Sequence, residues 1–231
     1  MWAPVSNELR KRILSALVLV PLVLAGFFVA PQPVPQVLVG VAWILSLREW
    51  HTMLNAGKTA AKSNYFRLAV VGYIYICFAF FGLWSAAEGD LKLLGFMLAV
   101  TWTTDTAAYF VGRALKGPKL APSISPGKTW SGALGGALAT GALGVIIVPS
   151  TFMPALYMFS IALAASIIAQ IGDLIESKAK RILGVKDSGQ LIPGHGGILD
   201  RLDSLIALGC VFGMVTFAGL IFNYSISPSP H

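Results

Sequence analysis

Apolar residues occur along this chain in long unbroken stretches separated by short polar ones, and they do not alternate with polar residues in the period-two pattern of a strand. The stretches fall at 13–30, 34–47, 68–86, 91–112, 130–148, 155–172 and 202–222. Lipid offers no partner to an unpaired backbone N–H or C=O, so each run is expected to cross the bilayer as an α-helix. The pattern predicts an all-α polytopic integral membrane protein with about seven transmembrane helices, forming a single membrane-embedded domain over residues 1–231. The run at 34–47 is short for a bilayer and closes on Arg48-Glu49-Trp50-His51 at a membrane interface, so it is expected to tilt or re-enter.

The segments between the runs sharpen this layout. Arg10-Lys11-Arg12 before Ile13 has the outline of a signal peptide, but no small-residue cleavage site follows. Pro31, Pro33 and Pro35 come at once, with the next run already begun at Val34. The first run is therefore expected to stay as an anchor with the N-terminus in the cytoplasm. Asn55 to Arg67 reads as a polar linker, and 113–128 as a basic, irregular loop because Pro118, Pro122 and Pro126 interrupt it. Gly132, Gly135 and Gly136 make a small-residue face suited to close helix packing.

Composition excludes an ordinary soluble domain: 56% of the 231 residues are hydrophobic and 12% charged, with a mean hydropathy of +0.75. A net charge of +7 could suggest a nucleic-acid partner, but the positive-inside rule explains it more simply. With the N-terminus inside, seven crossings put the loops 48–67, 113–128 and 173–201 in the cytoplasm. Of 17 Lys and Arg, only Lys92 then falls at an opposite-side loop, beside Glu88 and Asp90. Cys77 and Cys210 sit in apolar runs without a metal-ligand spacing and read as packing residues.

Chemistry concentrates between Gln170 and Asp203. Five of the ten carboxylates lie there: Asp173, Glu176, Asp187, Asp200 and Asp203. On helices, Asp173 and Glu176 share a face with Ser177, and Asp200 and Asp203 share one with Ser204. Paired carboxylates repel unless a cation lies between them, and hard oxygen donors suit Mg²⁺ or Mn²⁺. Lys178, Lys180, Arg181 and Lys186 lie between the pairs, followed by a Pro193-Gly194-His195-Gly196-Gly197 turn whose glycines let backbone N–H groups approach an anion. Together these features point to a phosphate-bearing substrate. Taken singly, each charge would serve equally well at a helix end, and His195 as a turn histidine bonded to a carbonyl. Asp105, inside the fourth run, is either functional or a helix-end carboxylate paired with Arg113 or bonded to Thr104.

The stretch Ser177-x-x-Lys180-Arg181-x4-Lys186-Asp187-x-Gly189-x3-Pro193-x-His195-Gly196-Gly197-x2-Asp200-Arg201-x-Asp203 closely resembles the signature of the phosphatidate cytidylyltransferases, with Ala179 where a larger apolar residue is usual. A second region resembles the same family: Asp105-Thr106-x2-Tyr109-x2-Gly112-Arg113, then Lys119-Leu120-x-Pro122-x-Ile124-Ser125-Pro126-x-Lys128-Thr129. It departs at Gly127, where a basic or polar residue is usual, and at Ser131, where Glu is frequent.

The resemblance implies that CTP and phosphatidic acid give CDP-diacylglycerol and pyrophosphate, at a site on the cytoplasmic edge of a bacterial inner membrane. It implies Mg²⁺, with Mn²⁺ as a substitute and room for a second cation, bound mainly by Asp173 and Asp200 and helped by Asp203 and Glu176. Lys180, Arg181, Lys186 and Arg201 are the expected phosphate clamps, His195, Gly196 and Gly197 a backbone cradle, and Ser177 a metal or phosphate ligand. Asp105, Arg113 and Lys128 are expected to complete the site. Expected partners are the two substrates, membrane lipids and a second copy of the chain in a homodimer, with no nucleic acid. A CTP-dependent lipid kinase and an ion or phosphate transporter are the rival readings.

Overall fold

The computed structural model describes residues 21–89, 91–148, 154–191 and 196–226. His195 and residues 13–20 of the first run lie outside them. In chain order come a helical stretch at 21–28 (α1), α2 (Val34–Ala56), α3 (Lys58–Ala61), a 3₁₀ turn (Lys62–Asn64), α4 (Tyr65–Gly89) and α5 (Leu91–Leu115). The strands β1 (Lys119–Ala121) and β2 (Ser125–Thr129) follow, and then α6 (Trp130–Ile147), α7 (Ala155–Ile182) and α8 (Leu199–Ile226). Among the described residues, four helices are long and apolar enough to cross a membrane: α4, α6, α7 and α8 as far as Phe222. Large apolar side chains such as Ile146, Leu156 and Phe66 are exposed on them, an arrangement that lipid stabilises and water does not. The molecule is thus a mostly helical integral membrane protein.

Three expectations are corrected. The basic loop at 113–128 is not wholly irregular: the mostly helical chain carries one short hairpin there. Lys116 (φ 56°) and Gly117 (φ 103°) turn the chain out of α5, and an antiparallel hairpin then sets Lys119 opposite Thr129 and Ala121 opposite Ser125. Its turn is closed by the Ile124 N–H donating to the Ala121 carbonyl at 3.1 Å, with Pro122 at the position where its fixed φ favours a turn. The polar linker 55–67 is α3 and a 3₁₀ turn, followed by the start of α4. Several helices also outrun their apolar stretches: α2 continues to Ala56, and α7 continues ten residues past Gly172. Hydropathy marks where lipid ends, whereas a helix ends where its backbone is stopped. For α7 that stop is Gly184, at φ 69° just after a last turn carrying Lys180 and Arg181.

Contacts divide the chain into two compact units that interleave in sequence. The first holds everything up to Leu91, with 182–202 and 209–231. There α2 packs on α4, with Trp50 seated where Gly72 leaves room for its indole, and Met53, Leu54, Ile76, Phe80 and Leu83 form the core. α4 and α8 meet backbone to backbone, because a side chain at Gly82 or Gly213 would overlap the opposite helix. Cys210 is buried there and Cys77 exposed, both as free thiols.

The second unit holds 92–181 and 203–208. α5 and α6 approach through Gly112 on the one and Gly132, Gly135 and Gly136 on the other, the last three being the small-residue face read from the sequence; a Cβ on Gly132 would stand 2.6 Å from the Ala108 carbonyl oxygen. Three buried hydroxyls join α5, α6 and α7: Thr104 lies 2.9 Å from Thr140 and donates to Ser166 at 2.8 Å. In a span such bonds supply the specific glue that apolar packing against lipid does not.

Candidate functional site

In the second unit a cavity of about 840 Å³ opens between α5, the hairpin, α6 and the middle of α7. Its charged lining is Asp105, Arg113, Lys116, Lys119, Lys128 and Asp173. The local fold explains this convergence. Thr129 caps α6 by accepting the Gly132 N–H at 3.1 Å, and the Ser131 hydroxyl donates to the Lys116 carbonyl. Ser131 thereby closes the base of the hairpin. These bonds hold the strand that carries Lys128 over α7, where its ammonium pairs with Asp173 at 2.5 Å. Asp173 also accepts the Ser177 hydroxyl at 3.2 Å, one turn along the same helix.

Neither structural alternative for Asp105 is realised. The Arg113 guanidinium donates to the Tyr109 hydroxyl at 2.7 Å, Thr104 spends its hydroxyl on Thr140 and Ser166, and Asp105 faces the cavity. Lys116 and Lys119, which no candidate set included, line the cavity exposed and without an ion pair among the described residues. Further along α7, Lys180 pairs with Glu176 at 2.6 Å, and Arg181 donates to the Ile124 carbonyl at 3.3 Å, bracing the hairpin turn. Asp203 accepts its neighbour Ser204's N–H at 2.7 Å, and Asp173, Glu176 and Asp105 lie close enough to repel its charge.

This donor set of carboxylates and a hydroxyl has the hard-oxygen chemistry that Mg²⁺ takes. In the structure, however, the counter-charges are lysines, and among the described residues no three His, Cys, Asp or Glu side chains gather around one point. The donors fit a divalent ion in kind, and the arrangement does not close into a cage around one.

The remaining expected residues belong to the first unit. Lys186 is exposed on the loop after α7, and Arg201 is exposed on the first turn of α8. Asp200 accepts the Ser188 N–H, at 3.1 and 3.0 Å to its two oxygens, and the Gly197 N–H at 3.0 Å. The glycine turn thus already binds an anion, and that anion is the protein's own. Gly196 adopts φ 86° there.

Glu49 of α2, which the sequence placed at a membrane interface, is instead 7% exposed and bonded to the same loop. It accepts the Ser188 hydroxyl at 3.0 Å and the Ile198 and Leu199 N–H groups at 2.9 Å each.

Spanning helices with lipid-facing apolar surfaces, and a cationic cavity bounded by carboxylates, define a helical integral membrane protein with a polar site. The chain belongs to the cytidylyltransferase family, whose sequence profile matches residues 57–218. It is similar to the phosphatidate cytidylyltransferase of Brucella suis biovar 1 (strain 1330), 51% identical over 163 residues, covering 68% of this chain and 59% of the relative. It is 37% identical to the enzyme so named in Rickettsia felis over 205 residues, covering 84% of this chain and 86% of that one. Against the Bacillus subtilis (strain 168) protein of that name the identity is 39% over 166 residues, covering 71% and 61%. The chain thus spans 52–59% of the length of the Brucella relatives it matches.

Proposed function

We propose that this protein transfers a cytidylyl group from CTP to phosphatidic acid, giving CDP-diacylglycerol and pyrophosphate for phospholipid synthesis. The observation that carries the reading is the cavity in which Arg113, Lys116, Lys119 and Lys128 line the same space as Asp105 and Asp173. Its volume suits a nucleotide or a lipid headgroup, and its free lysines suit phosphate. The activity named for the Brucella, Rickettsia and Bacillus relatives agrees.

The phosphate of phosphatidic acid is already anionic and needs no strong base. One of its oxygens bonds to the α-phosphorus of CTP, the bond from that phosphorus to the α,β-bridging oxygen breaks, and pyrophosphate leaves with the electron pair. Catalysis then rests on positioning and on neutralising charge. Arg113, Lys116 and Lys119 offset the triphosphate charge. Lys128 holds Asp173 in place and can exchange that partner for a phosphate oxygen. Mg²⁺, with Mn²⁺ as a substitute and a second cation allowed, would be held by Asp173 with Ser177, Glu176 and Asp203, and would supply charge neutralisation at the leaving pyrophosphate. Asp200 keeps a proposed ligand role through lone pairs beyond those its backbone donors use. Lys180, Arg181, Lys186, Arg201 and the turn around His195 are proposed phosphate contacts.

α1, α2 and α5 are proposed as additional crossings, making seven. At 23 and 25 residues, α2 and α5 are about 35 Å or more long, enough for a bilayer core. The distribution of Lys and Arg favours cytoplasmic site loops in a bacterial inner membrane. Homodimerisation is the remaining proposal, read from the particle mass in a lipid nanodisc.

The test is turnover of CTP with phosphatidic acid and Mg²⁺, using label at either the α or the γ phosphorus, for wild type, Asp173→Ala and Asp200→Ala. Label from the α position in the lipid, with both variants folded but inactive, supports cytidylyl transfer. Label from the γ position in the lipid replaces it with a kinase; no turnover of CTP directs the question to transport.

A further inference from the structure

Glu49 lies about 140 positions upstream of the signature loop, yet every hydrogen bond recorded for its carboxylate goes to that loop. One oxygen takes the Ile198 N–H, and the other takes both the Leu199 N–H and the Ser188 hydroxyl. Leu199 is the first residue of α8 and Ile198 immediately precedes it, so Glu49 satisfies backbone donors that a helix leaves unpaired at its start, where an anion is also favoured by the helix dipole. Ser188 works in both directions: its hydroxyl donates to Glu49 and its N–H to Asp200. Two carboxylates from different helices therefore close on the same two strips of backbone. Gly189 and Gly197 permit this close approach, because a Cβ on either would overlap the Glu49 carboxylate.

We propose that Glu49 is a positioning residue for the signature loop: it fastens Ser188 to the first turn of α8 and so fixes where Lys186, Asp187, Asp200 and Arg201 stand. Its role in turnover rests on the proposal that these residues handle the substrate phosphates. Lys186, Asp187 and Arg201 are exposed and Asp200 half-buried, whereas Glu49 is buried, so Glu49 is placed to act through the loop it holds rather than on substrate. A misplacement of about 1 Å at reacting groups can lower turnover roughly a hundredfold, so loosening such a clasp registers in kcat.

The test compares wild type with Glu49→Gln and Ser188→Ala in lipid nanodiscs, measuring amide exchange at Ile198 and Leu199 together with kcat and KM per folded molecule. Gln keeps the size of the side chain but turns an NH₂ group toward one of the donors, and Ser188→Ala removes a single donor while leaving the carboxylate. Glu49→Gln is expected to elute as folded protein, to exchange those amides about tenfold faster and to lose about tenfold or more in kcat with KM changed less than threefold. Ser188→Ala is expected to move the same quantities in the same direction by less. Unchanged exchange in Glu49→Gln, or faster exchange with kcat within twofold of wild type, overturns the proposal. If Glu49→Gln does not fold, Ser188→Ala alone decides by the same two criteria. A wild type without CTP turnover sinks the proposed reaction and with it the catalytic part of this role, whereas the exchange rates still decide whether Glu49 is the clasp.

Discussion

The two regions that carry this protein's polar chemistry treat their carboxylates in opposite ways. Around the cavity, acids are answered by side-chain cations: Lys128 pairs with Asp173 and Lys180 with Glu176. In the signature loop they are answered by backbone, Glu49 by Ile198 and Leu199 and Asp200 by Ser188 and Gly197. Lys128 and Asp173 are about a quarter exposed, at 26% and 24%, whereas Glu49 is 7% exposed. A half-wet ion pair contributes about 0–1 kcal/mol and can trade partners with an arriving phosphate. A buried carboxylate filled by N–H donors cannot do so without opening the chain. The Lys128–Asp173 pair is arranged to exchange contacts and the signature loop to keep them.

The largest effect that separates the two is expected from Asp173→Ala. CTP turnover should fall by roughly 10²–10³, while the thermal midpoint in detergent changes little because a partly exposed ion pair and one hydroxyl bond are lost. A cooperative loss of fold in that variant would break the comparison. Gly197→Ala should do the reverse. Its methyl meets Ser188 and Glu49, so unfolding in denaturant should show a loss of about 1–3 kcal/mol. A stability equal to wild type there would mean that the loop is not held as tightly as its bonds suggest.

Lys128→Gln sharpens the first half of the contrast. Nucleotide KM is expected to rise about tenfold, with a stability change under about 1 kcal/mol. Thr140→Val, in the hydroxyl trio away from both regions, sets the floor: a stability loss of about 0.6 kcal/mol and unchanged kinetics. If its kinetics change as much as those of Lys128→Gln, the cavity is coupled to the helix bundle beneath it.

Much of this was legible in the sequence, for identifiable reasons. Long apolar runs announce helices because lipid permits little else, and the glycines at 132 and 136 announced the close approach of α5 and α6 because only backbone contact requires them there. Asp105 and Asp173 stood out as charges at the ends of such runs, and both line the cavity. What escaped depended on through-space partners. The hairpin was hidden by prolines that serve as its turn and edge residues, and the length of α7 by reading an apolar boundary as a helix boundary. Glu49 looked like an interface residue because its donors lie about 140 positions later in the chain, and no local pattern announces that pairing.

The length of α7 carries one more consequence. Its apolar part, 155–172, is about 27 Å long, close to the thickness of a hydrocarbon core, and the charged remainder from Asp173 to Ile182 adds about 15 Å. In the proposed crossing arrangement Asp173 stands at the level where a phospholipid carries its phosphate. For the proposed reaction the lipid substrate need not be lifted toward water, and the quantity that sets its occupancy is its mole fraction in the leaflet. Diluting phosphatidic acid with inert lipid at constant bulk concentration should slow turnover, while diluting the vesicles at constant composition should not.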